Sequence, residues 1–107
     1  KLPIRVNTNG LGNLYHGRDI VPELAEYIDS ISISLNAANA EEYNNVTRPT
    51  FDNAYEAMLD FAEECNRMIK HTQLSIVDVL PEEDIKTCQQ IADERGIHLK
   101  IRHFSNP

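Results

Sequence analysis

Hydrogen-bonding side chains stand at the ends of four β-rich runs of this sequence. The run ends are Asn7-Thr8-Asn9-Gly10, Ser34-Leu35-Asn36, Val77-Asp78 and Arg102-His103-Phe104. In βα folds, ligands meet the residues at the carboxyl ends of the strands, so these side chains predict a site for a polar small molecule. They offer few general bases or nucleophiles, and no Ser-His-Asp or Cys-His arrangement occurs at a signature spacing. The pattern therefore indicates ligand binding more clearly than catalysis.

Arg48 is a candidate for binding a ligand carboxylate. It precedes Pro49, which stops the preceding helix, so Arg48 is expected on the loop between the second strand and the long helix. A guanidinium can bind a carboxylate through two parallel hydrogen bonds. It can equally form a salt bridge with an Asp or Glu of the same chain, and the residues alone leave both interpretations open.

A glycine-containing loop and the histidines resemble known sites less closely. The loop Asn9-Gly10-Leu11-Gly12-Asn13 follows a strand, as phosphate-binding loops do. It lacks the Gly-Lys-Ser/Thr of a P-loop and the third spaced glycine of a dinucleotide site, which favours a flexible turn. Three histidines have no partner at metal-ligand spacing: His16, His71 and His98.

Strands and helices alternate along the chain. The predicted strands are residues 3–7, 30–36, 73–79 and 98–104, and the predicted helices are residues 19–28, 40–45, 52–70 and 82–95. Asp19 is a candidate N-cap of the first helix, and Asn39 with Glu42 resembles a capping box. Pro81 and Gly96 mark the two ends of the last helix. This order predicts one α/β unit over residues 1–107, β-α-β-α-β-α-β, with parallel strands joined by right-handed crossovers.

Only one face of the predicted strands is apolar. Its residues are Ile4, Val6, Ile31, Ile33, Leu35, Leu74, Ile76, Leu99 and Ile101. The other face alternates with it and is rich in hydrogen-bonding side chains, including Ser30, Ser32 and Ser34 on one strand. Parallel sheets are usually apolar on both faces, so the polar face is either solvated or lines the lumen of a curved sheet that holds a ligand. We expect the lumen, with sequentially ordered strands and helices on one face only.

Composition and charge restrict the classes of function. The chain has 107 residues, a formal net charge of -7 and ten Lys and Arg that are scattered singly, which argues against a nucleic-acid partner. No apolar run is long enough to span a membrane, and no basic-then-apolar leader opens the chain. Cys65 and Cys88 are far apart on the apolar sides of predicted helices, as expected for reduced core thiols. These features predict a cytoplasmic protein with a small-molecule ligand.

Several segments resemble radical SAM enzymes. They are Ile4-Arg5-Val6-Asn7-Thr8-Asn9-Gly10, Ser30-Ile31-Ser32-Ile33-Ser34-Leu35-Asn36, Glu41-Glu42-Tyr43, Arg48-Pro49 and the helix from Phe51 to Phe61. The third and fourth βα units of that family carry a strand-ending Thr-Asn-Gly, then Ser-Leu-Asp/Asn, then a helix and an Arg. The last two strands resemble the family's fifth and sixth more loosely. Gly17-Arg18-Asp19-Ile20 is similar to the radical SAM proteins associated with TatD-type hydrolases.

The resemblance implies the later half of a partial (βα)6 TIM-like barrel, whose lumen holds S-adenosylmethionine and a [4Fe–4S] cluster. By matching position, Asn7 and Thr8 lie near the methionyl end. Ser34 and Asn36 address the methionyl or ribose oxygens, although Asn36 stands where Asp is more usual. Arg48 binds the methionyl carboxylate.

The same resemblance places Val77 and Asp78 near the adenosyl group and Arg102 facing the substrate. The family's Cys-x3-Cys-x-aromatic-Cys loop and its Gly-Gly-Glu segment do not occur in this sequence, which fits a fragment beginning after the second strand. With only two cysteines, this chain cannot ligate the cluster through three thiolates. The parent protein is therefore expected to be an enzyme, and this chain alone to be folded but catalytically silent.

Other functions remain open. The main rival is a non-enzymatic ligand-binding βα module, or a half-barrel of unrelated chemistry such as a phosphate-binding barrel. A phosphate barrel favours glycine-rich loops after its later strands, which Asp78-Val79-Leu80-Pro81 and His103-Phe104-Ser105 lack. A third possibility is a scaffold that docks through its sheet edges. An exposed strand at residues 3–7 would also favour self-association.

Overall fold

The computed structural model describes residues 4–47 and 53–102 of the chain. Its strands are β1 (Arg5–Thr8), β2 (Ser30–Ser34), β3 (His71–Val77) and β4 (His98–Arg102). Its helices are α1 (Gly12–His16), α2 (Val21–Tyr27), α3 (Ala40–Thr47), α4 (Ala54–Met68) and α5 (Glu82–Arg95). The predicted alternation is confirmed, with α1 as an additional short helix where the sequence predicted only a turn.

The four strands form one parallel sheet in the order β1-β2-β3-β4. Asn7 pairs with Ser32, Ser32 with Gln73, and Gln73 with His98. This arrangement confirms an α/β fold with sequentially ordered parallel strands. Because all four strands are parallel, their carboxyl ends lie at one edge of the sheet.

Three strands have other bounds than predicted. Strand β1 ends at Thr8 rather than at residue 7, because Thr8 still pairs with Ile33 of β2. Strand β2 ends at Ser34 rather than Asn36, because Asn36 adopts a left-handed backbone with φ of 66° and turns the chain away from the sheet. Strand β3 covers His71–Val77 rather than 73–79, because His71 already pairs with Ser30 of β2. Positions 78 and 79 form a turn, so the alternation predicted there ends early.

The helix ends follow local capping chemistry. The Asn39 side-chain oxygen accepts the Glu42 backbone N–H at 2.9 Å, which confirms Asn39 as a cap of α3. Helix α5 spans the predicted residues, and Gly96 ends it with a φ of 68°. Asp19 was wrong as the N-cap residue of α2, since that position belongs to Ile20. Its carboxylate nevertheless accepts the Val21 N–H at 3.1 Å.

The core lies between the sheet and the helices. The strand residues that pack there are Ile31, Ile33, Leu74, Ile76 and Leu99, each at most 6% exposed. Helix α4 lies against the two central strands and contributes Met58, Ala62 and Cys65, which are fully buried. The helices thus cover the apolar face of the sheet, as the alternation predicted.

Among the described residues, no helix combines the length and apolar character needed to cross a membrane.

Candidate functional site

The sheet has a second face that no described helix covers, here called the open face. Side chains alternate along a strand, and those on this face are Arg5, Asn7, Ser30, Ser32, Ser34, His71, Gln73, Ser75, Val77, His98, Lys100 and Arg102. Most of them are exposed or half-buried. Ser32 and Ser75 are only 6% and 4% exposed, because longer neighbouring side chains lie over these short ones.

A hydrogen-bond network crosses the centre of the open face. The Gln73 side-chain amide donates to the Ser32 hydroxyl oxygen at 3.2 Å. Nη2 of Arg102 lies 3.5 Å from the same oxygen and 3.4 Å from Oδ1 of Asn7. One guanidinium on the outer strand β4 therefore reaches side chains on β1 and β2. Ser32 receives two donors and fixes the position of both.

The Arg102–Asn7 contact shows that the sheet is curved. Asn7 is in register with His98 through the two central strands, and Arg102 lies four residues beyond His98. In a flat sheet their Cα atoms would be roughly 19 Å apart, from the strand spacing and the rise per residue. Extended Arg and Asn side chains cannot bridge that distance, so twist and coiling bring the outer strands together over this face. The open face is concave.

The concavity forms a depression of about 670 Å³ over the amino-terminal half of the open face. Four basic residues of the described part of the chain line it: Arg5, Lys70, Lys100 and Arg102. His71 and His98 also line it, and no described Asp or Glu does. The chain has ten Lys and Arg and a net charge of -7. Basic residues that are scattered in sequence thus come together in one depression of an acidic protein.

The carboxyl-end candidates lie at the opposite edge of the sheet. Thr8 accepts the Gly10 backbone N–H through its hydroxyl at 3.2 Å. Ser34 and Asn36 are half-buried at the end of β2. Val77 is 38% exposed at the end of β3, and the Asp78 backbone N–H donates to the Arg102 carbonyl at 2.9 Å.

Only some of the predicted site residues come together. Asn7 and Arg102 are hydrogen-bonded and both line the depression. The carboxyl-end candidates Thr8, Ser34, Asn36, Val77 and Asp78 are not part of its lining. Arg48 lies outside the described residues.

Sequence reasoning did not nominate several residues that line the depression. Ser32 and Lys100 were recognised on the polar face by their alternation, which was the usable signal. Lys70 lies between the end of α4 and the start of β3. No local sequence pattern predicts that it lies near Arg5 on β1. The helices and pairing register that bring them together are properties of the whole fold.

The glycine-containing loop after β1 uses its own hydrogen-bonding groups. Thr8 binds the Gly10 N–H, and the Asn9 side-chain oxygen accepts the Leu11 N–H at 3.0 Å. A phosphate-binding loop needs such amide groups free to face the ligand. Gly12 then begins helix α1, so this segment is a structured turn rather than an anion site.

Neither cysteine suits a [4Fe–4S] cluster. Cys65 on α4 and Cys88 on α5 are fully buried in the core. Burial raises the pKa of Cys65 to about 12 and that of Cys88 to about 11, so both remain thiols at neutral pH, whereas cluster ligands are thiolates. Within the described ranges, no group of three His, Cys, Asp or Glu side chains is placed to hold a metal ion.

A pair of carboxyl groups joins the loop before α2 to helix α4. A side-chain hydrogen bond between Asp19 and Glu64 raises the pKa of Glu64, with burial as a second cause. The same bond lowers the pKa of Asp19. The contact therefore favours the protonated form of Glu64 and the ionised form of Asp19. No local pattern indicates this pair, because Asp19 and Glu64 are separated by 44 residues and meet only in the folded chain.

Comparison of the chain with protein-family models, with curated proteins and with solved structures found no match.

Proposed function

We propose that this chain forms the later βα units of a radical SAM enzyme and that its open face is part of the wall that binds S-adenosylmethionine. The observation that carries the proposal is the curved, polar, helix-free face, marked by the contact of Arg102 with Asn7. A sequentially ordered parallel sheet curved in this sense is the arrangement expected of half a partial (βα)6 barrel, with the open face toward the lumen.

The carboxyl end of the open face has the side chains that this cofactor requires. Ser34 and Asn36 offer hydroxyl and amide groups for the methionyl or ribose oxygens. Val77 and Val79, 38% and 63% exposed, offer apolar surface for the adenine ring, next to Asp78. A ligand with polar and aromatic parts suits this mixture.

Asn7 and Thr8 would lie toward the methionyl end, Arg48 would bind the methionyl carboxylate, and Arg102 would face the substrate. When bound, S-adenosylmethionine supplies the adenosyl radical that removes a substrate hydrogen atom. The chain's own contribution is to bind and orient the ligand and to exclude water. Since Cys65 and Cys88 do not suit the [4Fe–4S] cluster, its ligands would come from other cysteines of the complete enzyme. This chain alone would be catalytically silent.

The proposal predicts binding of S-adenosylmethionine by the full-length gene product and release of 5′-deoxyadenosine after anaerobic iron–sulfur reconstitution and reduction. Arg48→Ala should weaken binding by roughly 1–3 kcal/mol, the loss of a charge-assisted hydrogen bond. Isothermal titration of both proteins measures this, with Lys86→Ala on the exposed side of α5 as the control.

An unchanged titration of Arg48→Ala would remove that residue from the site. A full-length product that neither binds nor cleaves S-adenosylmethionine would contradict the whole proposal.

A non-enzymatic ligand-binding βα module is the second candidate. The basic depression favours it, because that depression contains a preformed binding surface without a carboxylate general base. The same experiment separates the two functions, since such a module would bind its ligand without cleaving S-adenosylmethionine.

A further inference from the structure

The basic side chains of the depression have no carboxylate partners among the described residues. The ion pairs of the described chain lie outside the depression and involve three other basic residues: Arg18, Lys86 and Arg95. Arg5, Lys70, Lys100 and Arg102 instead share one concave surface without a nearby Asp or Glu in its lining. Seventeen Asp and Glu residues are present in the chain, so their exclusion from this surface sets it apart from the rest of the molecule.

Such an arrangement creates a positive potential in a confined place. Charges of one sign in a cleft with low-dielectric walls concentrate counter-ions far more than the same charges on a convex surface. Their mutual repulsion also destabilises the empty site, and a bound anion removes that cost. The physical preference of the depression is therefore for a ligand with more than one negative charge.

Arg102 is already positioned for such a ligand. Both of its hydrogen bonds within the sheet are made through Nη2, to Asn7 and Ser32. These two bonds do not use the N–H groups of Nη1 and Nε. A guanidinium can donate two parallel N–H groups to one oxyanion. Anchoring the side chain in advance reduces the entropy lost when the ligand binds.

We propose that the depression binds a small multivalent oxyanion, a ligand with phosphate groups or several carboxylates. Arg102 forms the directional contact, and Arg5, Lys70 and Lys100 supply the surrounding charge. The depression shares Asn7 and Arg102 with the proposed S-adenosylmethionine and substrate wall, whereas Arg5, Lys70 and Lys100 lie outside that wall. Oxyanion binding does not depend on the proposed radical SAM function. S-adenosylmethionine carries a sulfonium and an ammonium against one carboxylate, so it is a cation overall and would be repelled by these residues.

A small anion fits this surface better than a nucleic acid does. Among residues 4–47 and 53–102, the lining contains no Phe, Tyr or Trp, the side chains on which single-stranded bases stack. The net charge of -7 opposes a polyanion that extends beyond the depression.

The proposal is tested by titrating this chain with inorganic pyrophosphate and with citrate at fixed ionic strength. Backbone-amide NMR and calorimetry measure the binding. Saturable binding with shifts at Ser32, Gln73 and Lys100 is expected. Arg102→Gln should weaken it roughly ten- to a hundredfold, from the strength of a charge-assisted hydrogen bond. Lys100→Gln should weaken it less. Lys86→Gln removes one charge from exposed α5 and should leave it unchanged.

Two results would overturn the site. One is equal weakening by Lys86→Gln and Lys100→Gln, which would show unspecific charge attraction. The other is the absence of saturation with either anion. Tighter binding of an RNA oligonucleotide at the same residues would replace the small anion by a nucleic acid. The Lys100 side chain forms no hydrogen bond or ion pair among the described residues, so Lys100→Gln keeps the test valid if Arg102→Gln does not fold. S-adenosylmethionine, titrated separately against wild type and Lys100→Gln, distinguishes the two proposals, because Lys100 is not part of the proposed S-adenosylmethionine site.

Discussion

Asn36 combines a backbone role with a proposed binding role. Its φ of 66° turns the chain out of β2, and asparagine tolerates this left-handed conformation better than most residues. Its side chain is also a candidate ligand group at the carboxyl end of the open face. Replacement by alanine therefore changes two properties together, and a second variant is needed to separate them.

Asn36→Ala is expected to lower the free energy of unfolding by about 1 kcal/mol, the cost of a left-handed residue with a Cβ atom. Asn36→Gly removes the same side chain without that strain and should remain near wild-type stability. If Asn36 binds S-adenosylmethionine, both variants lose affinity in the complete enzyme to the same extent. Chemical denaturation and calorimetry measure the two effects. Wild-type affinity in Asn36→Gly would remove Asn36 from the binding site.

The Asp19–Glu64 pair makes a pH-dependent contribution to stability. A carboxyl group whose pKa is raised in the folded state costs stability once the pH rises above its folded pKa. Glu64→Gln keeps a donor toward Asp19 without a charge, so the variant should unfold at a higher temperature than wild type at neutral pH. The difference should vanish below the ordinary pKa of Glu, about 4.3, because Glu64 with its raised pKa is then protonated. Thermal unfolding at both pH values measures this.

Glu56→Gln is the matched control on the same helix. Glu56 is in the first turn of α4, where a carboxylate is favoured by the helix dipole, so its removal should not raise the unfolding temperature. A stabilisation of Glu64→Gln that persists unchanged at low pH would contradict the raised pKa of Glu64.

Local sequence signals predicted most of the elements. Alternation of apolar residues located all four strands and identified the covered face, and Asn39 marked the start of α3. Helix α1 was missed, because its five residues begin at a glycine within a turn-like segment. The basic depression was missed for a different reason: it needs the curvature of the sheet and the pairing register, and neither is encoded in any one segment.

Tyr55 connects helix α4 to the segment that follows β2. Its hydroxyl donates to the Ala37 carbonyl at 3.2 Å, its ring packs against Tyr43, and burial raises the pKa of Tyr55 to about 12. Tyr55→Phe keeps the ring but leaves the buried carbonyl without this donor. The free energy of unfolding should fall by about 1 kcal/mol, measured by denaturation. Tyr27→Phe, on an exposed ring, is the control, and equal effects of the two changes would contradict this role.

The two outer strands of the sheet, β1 and β4, each have an unpaired outer edge within the described part of the chain. Strands β1 and β4 each pair with one neighbour only among the described residues. Ile4 and Ile101, beside these edges, are 41% and 38% exposed. Unpaired strand edges next to apolar side chains readily bind other strands.

We therefore expect this chain to self-associate as its concentration rises. Sedimentation over a wide concentration range should show an increasing mass, because edge pairing and burial of Ile4 or Ile101 are favourable. Ile101→Lys places a charge beside the β4 edge and should shift the equilibrium toward monomer, while Lys86→Gln should not. A monomer at every concentration would contradict the expectation.

The two buried thiols give each long helix its own reporter of opening. Cys65 sits beneath α4 and Cys88 beneath α5, so a thiol reagent can reach either one only when that helix separates from the sheet. Labelling rates in native buffer, read separately by mass spectrometry, would rank the two helices by their opening free energy. We expect Cys88 to react first, since α5 packs on the outer strand β4 whereas α4 covers the central strands. The order in which the two helices open is thus measurable with the native cysteines alone, without introducing a new one.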